Sequence, residues 1–186
     1  TSSVIYEDIK DKYNFKLYPI VQSVTKILSK MPITRLGVFA TSATVSSNVY
    51  QNEIAKYNPN IKVYAQHCPG WVKIVENNLL NDKDSISIIK NDLEKMLVNN
   101  PEKIVLGCTH YPFLLKILSQ YASESLFIDP AIYFAEFIKN DLKNSDLLNH
   151  AKSAVEEFYV SSNPLNFQTA AKLFYNIKNE PRLLTF

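Results

Sequence analysis

The chain is poor in the residues that usually punctuate or staple a fold: three glycines, two cysteines and one tryptophan in 186 residues. Two cysteines in a chain this long do not make a disulfide framework, so a reducing, cytoplasmic setting is expected. Charge of one sign is missing too. Twenty Lys and Arg stand against 18 Asp and Glu, a net charge of +2 with no basic run or stripe, so no nucleic-acid partner is expected. No apolar run approaches the span of a bilayer and the first residues carry no signal-peptide pattern, so no membrane partner is expected either. Internal repeats and low-complexity segments are absent. What remains is a globular composition, 46% hydrophobic and 20% charged, enough for one large domain or two small lobes.

Short apolar runs alternate with helical patterns along this chain. Residues 36–40, 61–65, 103–106 and 126–128 read as buried strands, and 158–160 as a further short one. Residues 85–98 carry Ile86, Ile89, Leu93 and Met96 at helical spacing, with Asp84 as the expected N-cap. Residues 111–121 read as a helix opened by Pro112, where a missing N–H costs nothing. Residues 132–142 and 166–175 read as two more helices. This alternation predicts an α/β fold with a parallel sheet covered on both faces. The start is unusual for such a fold. An amphipathic helix (Val4, Ile5, Ile9, then Tyr13) comes first and residues 15–20 follow as a strand, an order that fits natural variation, a chosen boundary, or a preceding strand and loop that belong to the protein.

The strongest chemical signal is residues 104–112, IVLGCTHYP. A buried strand delivers Cys108 to the carboxyl end of a parallel sheet, where open α/β folds bind ligands. A helix opening at Pro112 would aim its N–H groups at that spot, favouring a thiolate or a bound carboxylate. Gly107 lets the backbone turn and a ligand approach. His110 can take or give a proton, or assist the thiol in doing so. The alternative is an inert buried cysteine at a strand end, with His110 as a helix cap.

Other polar residues are less decisive. His67 and Cys68 stand side by side, but further ligands at metal-binding spacing are absent, and no metal site is expected. Glu76 falls in the helix after Cys68-Pro69 and reads by default as an exposed acid. Thr41 and Thr44 follow a strand and are first of all N-cap candidates, though capping accounts for only one of them. His150 lies in a polar, surface-like stretch.

The stretch GCTHYPFLL resembles the second cysteine motif of bacterial glutamate racemases, in the aspartate/glutamate racemase superfamily. Residues 36–50 (LGVFATSATVSSNVY) resemble the family's threonine-bearing loop, and Cys68-Pro69 through Glu76 its CP…VxxVE segment. Residues 127–130 and 158–167 resemble the return through the first lobe, and Thr1-Ser2-Ser3 the tail of the first cysteine motif. In the related aspartate racemases the position of His110 is typically Glu, so His110 favours glutamate.

The resemblance implies two α/β lobes, with parallel or mixed sheets flanked by helices and the active site between them. Residues 1–21 plus 130–186 would form a first lobe incomplete at the N-terminus, and 22–129 a second lobe bearing GCTHYP. It further implies cofactor-independent inversion of glutamate for peptidoglycan synthesis, and so for cell wall and cell shape, by two thiols acting as acid and base. Cys108 matches one of those thiols, His110 the histidine assisting it and Glu76 the carboxylate supporting the histidine. Thr1, Thr41, Thr44 and Thr109 match substrate contacts, and Cys68 has no catalytic counterpart. A homodimeric assembly is left open. The family's Asp-Ser-Gly motif and first catalytic cysteine are not among these 186 residues, so the chain alone is expected to be inactive, or nearly so, as a racemase. Aspartate or hydantoin racemisation, a non-catalytic carboxylate-binding module and, more distantly, a thiol hydrolase built on Cys108 and His110 are the competing readings.

Overall fold

A computed structural model describes residues 2–150, 155–172 and 174–184; Thr1 lies outside the described residues. Four strands form one parallel sheet: β1 (Arg35–Ala40), β2 (Lys62–His67), β3 (Lys103–Leu106) and β4 (Phe127–Ile128). Their spatial order is β2-β1-β3-β4, so the chain leaves β1 toward one edge and returns to its other side for β3. Neighbouring connections therefore diverge between the carboxyl ends of β1 and β3, which opens a crevice at that edge.

Alternation along the strands explains why the sheet is buried on both faces. In β1, Leu36, Val38 and Ala40 join one apolar cluster and Phe39 the other; in β3, Val105 opposes Ile104 and Leu106 in the same way. The first face is covered by α2 (Ile20–Leu28) and α4 (Val49–Tyr57) through Val21, Val24, Leu28, Tyr50 and Ile54. Between β1 and α4 runs the short α3 (Ser42–Ser46). The second face is covered by α5 (Trp71–Glu76) and α6 (Lys83–Leu97), with Trp71, Ile89, Leu93 and Met96 fully or nearly fully buried. A 3-10 turn, Tyr111–Leu114, leads into the short α7 (Leu115–Leu118) on that same side. Beyond β4, α8 (Pro130–Asn144) packs on α2, itself next to the N-terminal α1 (Ser2–Ile9). A separate parallel pair, β5 (Tyr159–Val160) with β6 (Arg182–Leu183), and α9 (Pro164–Ala171) complete the described residues.

The fold class is as expected, and several local expectations are corrected. Residues 15–20 are not a strand. Pro19 instead sits at the N-cap of α2, whose Val21, Val24 and Leu28 repeat at helical spacing into the core. Tyr18, just before it, donates its hydroxyl to Asp141 on α8 at 2.6 Å, holding this entry segment as an irregular strap. The cap of α6 is Asp82 rather than Asp84: its carboxylate accepts from the Ser85 N–H at 2.9 Å. That contact holds the Asp82 carboxyl below the usual range. The helix expected over residues 111–121 is four residues of 3-10 turn and four of α-helix. Its dipole is too short to act on Cys108 as a long helix would.

Two glycines make contrasting close contacts. A Cβ on Gly107 would stand 2.9 Å from the backbone oxygen of Phe39, while one on Gly37 would meet the Met96 sulfur at 2.9 Å. Backbone cannot retreat without breaking the sheet, whereas a thioether can swing aside. We therefore expect Gly107→Ala to destabilise by about 1–3 kcal/mol and Gly37→Ala by less. Urea unfolding of the two variants checks the order.

Candidate functional site

The crevice at the β1–β3 edge is a cleft of about 510 Å³. Thr41, Thr44 and Tyr50 line it from the β1 side; Gly107, Cys108, Thr109 and His110 line it from the β3 side. Ile20, Val21, Pro130 and Ala131 close it from α2 and α8, and Val72, Pro112, Phe113 and Asp129 complete the wall. The position of each group follows from the strands. Gly107 donates its N–H to the Phe39 carbonyl at 2.7 Å, extending the ladder one step past β3 and placing Cys108 just beyond the sheet.

Cys108 is partly exposed, and its Sγ lies 3.8 Å from Nδ1 of His110. On the other side of the ring, Nε2 of His110 lies 3.2 Å from Oε1 of Glu76. A carboxylate can only accept, so neutral His110 carries its proton on Nε2 and turns the Nδ1 lone pair toward the thiol. The arrangement is that of a nucleophile or base, a proton acceptor and an orienting acid. Its carboxylate–histidine pair is open to water, with side chains 59% and 32% exposed. The contact with Glu76 fixes the orientation of the ring, and such exposed pairs are worth roughly 0–1 kcal/mol. Thr109 Oγ1 also approaches His110 Nδ1, at 3.5 Å.

Thr41 and Thr44 do not cap α3 through their side chains. Their hydroxyl oxygens lie 3.2 Å from one another at the cleft wall, Thr44 being buried. Six of the seven residues singled out from the sequence are thus brought to one region, with Glu76 reaching it through His110; the seventh, Thr1, is outside the described residues. Tyr50, Val72, Phe113 and Asp129 also line the cleft and were not singled out; apolar or capping residues carry no chemical signature before the fold is known.

Cys68 has a different environment. It is 3% exposed inside the core, its backbone oxygen accepting from the Tyr111 hydroxyl at 3.2 Å. Burial, reinforced by the nearby Asp92 charge, pushes its thiol pKa far up. Tyr111 stacks edge-on against Trp71, whose indole N–H donates to Asp92 at 3.1 Å. Among the described residues no group of three or more His, Cys, Asp and Glu is placed to hold a metal ion, and no helix is long and apolar enough to cross a membrane.

Against known proteins, a model of the Asp/Glu/hydantoin racemase family matches residues 1–137. The chain belongs to this family. It is 32% identical over 168 residues to glutamate racemase 2 of Caldanaerobacter subterraneus subsp. tengcongensis, covering 88% of this chain and 63% of that protein. It is 31% identical over 173 residues to a glutamate racemase of Thermoanaerobacter sp., covering 92% and 66%. The chain thus spans a little under two thirds of these relatives' lengths. Among solved structures, glutamate racemase from Francisella tularensis in complex with D-glutamate superposes with a TM-score of 0.83 at 25% identity, over 99% of this chain and 70% of that one. A glutamate racemase isoform from Bacillus anthracis superposes at 0.91 with 18% identity, over 99% and 70%, a likeness of fold alone.

The two racemase-fold cysteines differ enough in burial to be told apart chemically. The thiolate is the reactive form, and Cys68 is both shielded and held protonated. Brief iodoacetamide treatment of the native chain is expected to alkylate Cys108 and leave Cys68 unmodified until the chain is unfolded. Mass spectrometry of the peptides reads the result.

Proposed function

We propose that this chain supplies one acid/base face of a cofactor-independent glutamate racemase. The observation that carries this reading is the line Cys108–His110–Glu76, whose thiol and imidazole open on the cleft that Thr41, Thr44 and Thr109 also line. Family membership and the D-glutamate complex of the Francisella tularensis enzyme support glutamate as the substrate.

In this reading His110 takes the thiol proton of Cys108 at Nδ1, and the resulting thiolate removes the α-proton of glutamate. The electron pair of the broken C–H bond delocalises into the α-carboxylate. Reprotonation from the opposite face inverts the centre, and by the family resemblance a second thiol performs it. Cys68 does not serve, because it is buried in the core with its pKa raised. Thr41, Thr44 and Thr109 are assigned to substrate contacts, and Thr1 by resemblance alone. Glu76 holds His110 in the tautomer the step requires.

We assign residues 22–129 to one lobe and 1–21 plus 130–186 to the other. The placing of α8 against the cleft through Pro130 and Ala131 supports a site built where the two meet. The remainder of the reading follows the family: D-glutamate made in the cytoplasm for peptidoglycan.

The test is α-proton exchange of L- and D-glutamate in deuterated water, followed by NMR on the 186-residue chain. One enantiomer should exchange without racemising, and Cys108→Ser should stop it. His110→Ala should slow exchange by about 10²–10⁴-fold, the range for a lost proton-transfer group. Glu76→Gln should cost no more than about tenfold, in line with an exposed pair. Full racemisation by the chain that survives Cys108→Ser would overturn the assignment.

A further inference from the structure

Tyr50 stands in the first turn of α4 and is 3% exposed, its ring inside the apolar cluster on one face of the sheet. It nevertheless lines the cleft together with Thr44 and Cys108. Its hydroxyl lies 3.2 Å from the point where a Cβ on Gly107 would stand, so the absence of that carbon gives the phenol its place beside the backbone leading to Cys108. Among the described residues the hydroxyl has no hydrogen-bond partner. The ring is buried, but the hydroxyl is not among the fully buried polar atoms left without a partner, so it keeps contact with solvent, and the cleft is the space it lines. Thr41 and Thr44, which line the same cleft, have their hydroxyl oxygens 3.2 Å from one another.

The phenol is also confined to one role. Burial first, and the charge of Cys108 second, push its pKa far above the ordinary tyrosine value. It therefore remains a neutral O–H donor and does not compete with Cys108 as a base. An unpartnered donor in the wall of a cleft, next to the group that removes a proton, suits an anionic oxygen brought in by the ligand.

We propose that the Tyr50 hydroxyl is a binding contact for substrate, donating a hydrogen bond to the carboxylate on the carbon that Cys108 deprotonates. This rests on the glutamate reading above. It adds a consequence for the reaction: charge flows into that carboxylate as the C–H bond breaks, so the hydrogen bond strengthens toward the transition state. The contact then serves rate as well as affinity.

Tyr50→Phe removes the oxygen and leaves the packed ring. Calorimetry on the wild-type chain and the variant should show the dissociation constant for glutamate rising about tenfold or more, as for a lost hydrogen bond to a charged group. The exchange rate at saturating glutamate should fall as well. Binding of 4-aminobutyrate, the same skeleton without that carboxylate, should be alike in both proteins, as should the unfolding midpoint and the alkylation rate of Cys108. Equal affinity for glutamate in both proteins, or an equal loss for both ligands, overturns the proposal while leaving the glutamate reading intact. Failure of the wild-type chain to bind glutamate overturns both.

Discussion

Where the Gly107 N–H meets the Phe39 carbonyl at 2.7 Å, two strand ends approach so closely that a methyl group would stand 2.9 Å from that oxygen. This contact extends the β1–β3 ladder to the last step before the chain turns away. It decides which side chains share the edge of the sheet: those after Ala40 and those after Leu106, segments some way apart in sequence. The same gap admits the Tyr50 hydroxyl from a third element. Thr41, Thr44, Tyr50 and Cys108 line one cleft because of it.

The opposite wall of the sheet gives the thiol its support. Tyr111, three residues after Cys108, is fully buried, packed against Trp71 and tied to the Cys68 backbone. Asp92 accepts from the Trp71 indole and pairs with Lys95 at 3.2 Å, so its buried carboxylate is partnered on both oxygens. The loop from Gly107 to Tyr111 is thus anchored at both ends while its middle, with Cys108 and His110, stays open to the cleft. One cysteine is reachable by a ligand and the other is sealed in core; burial rather than sequence distance separates their chemistry.

Much of this was legible beforehand because a parallel strand buried on both faces is an uninterrupted apolar run. Residues 103–106 match β3 at both ends, and Cys108 follows directly. The meeting of Glu76 with His110 was not legible from spacing, since it depends on α5 and the 3-10 turn packing side by side; the family resemblance supplied it. Tyr50 escaped notice because an aromatic residue at helical spacing reads as core, which it also is. The strand expected over residues 15–20 failed for a local reason. Apolar residues flank Pro19, but the proline opens α2, and the periodicity that decides the matter lies downstream in Val21, Val24 and Leu28. The long helix expected after Pro112 shows the reverse case: a suitable first residue does not set how far a helix extends.

The single tryptophan has an optical consequence. Trp71 is wholly buried, its ring 4.9 Å from those of both Phe39 and Tyr111, residues that belong to the two chain segments meeting at the cleft. Val72, its immediate neighbour, lies in the cleft wall itself. The chain therefore carries an intrinsic chromophore coupled to both arms of its own site. Near-ultraviolet dichroism and indole emission record the order of that junction without any attached label.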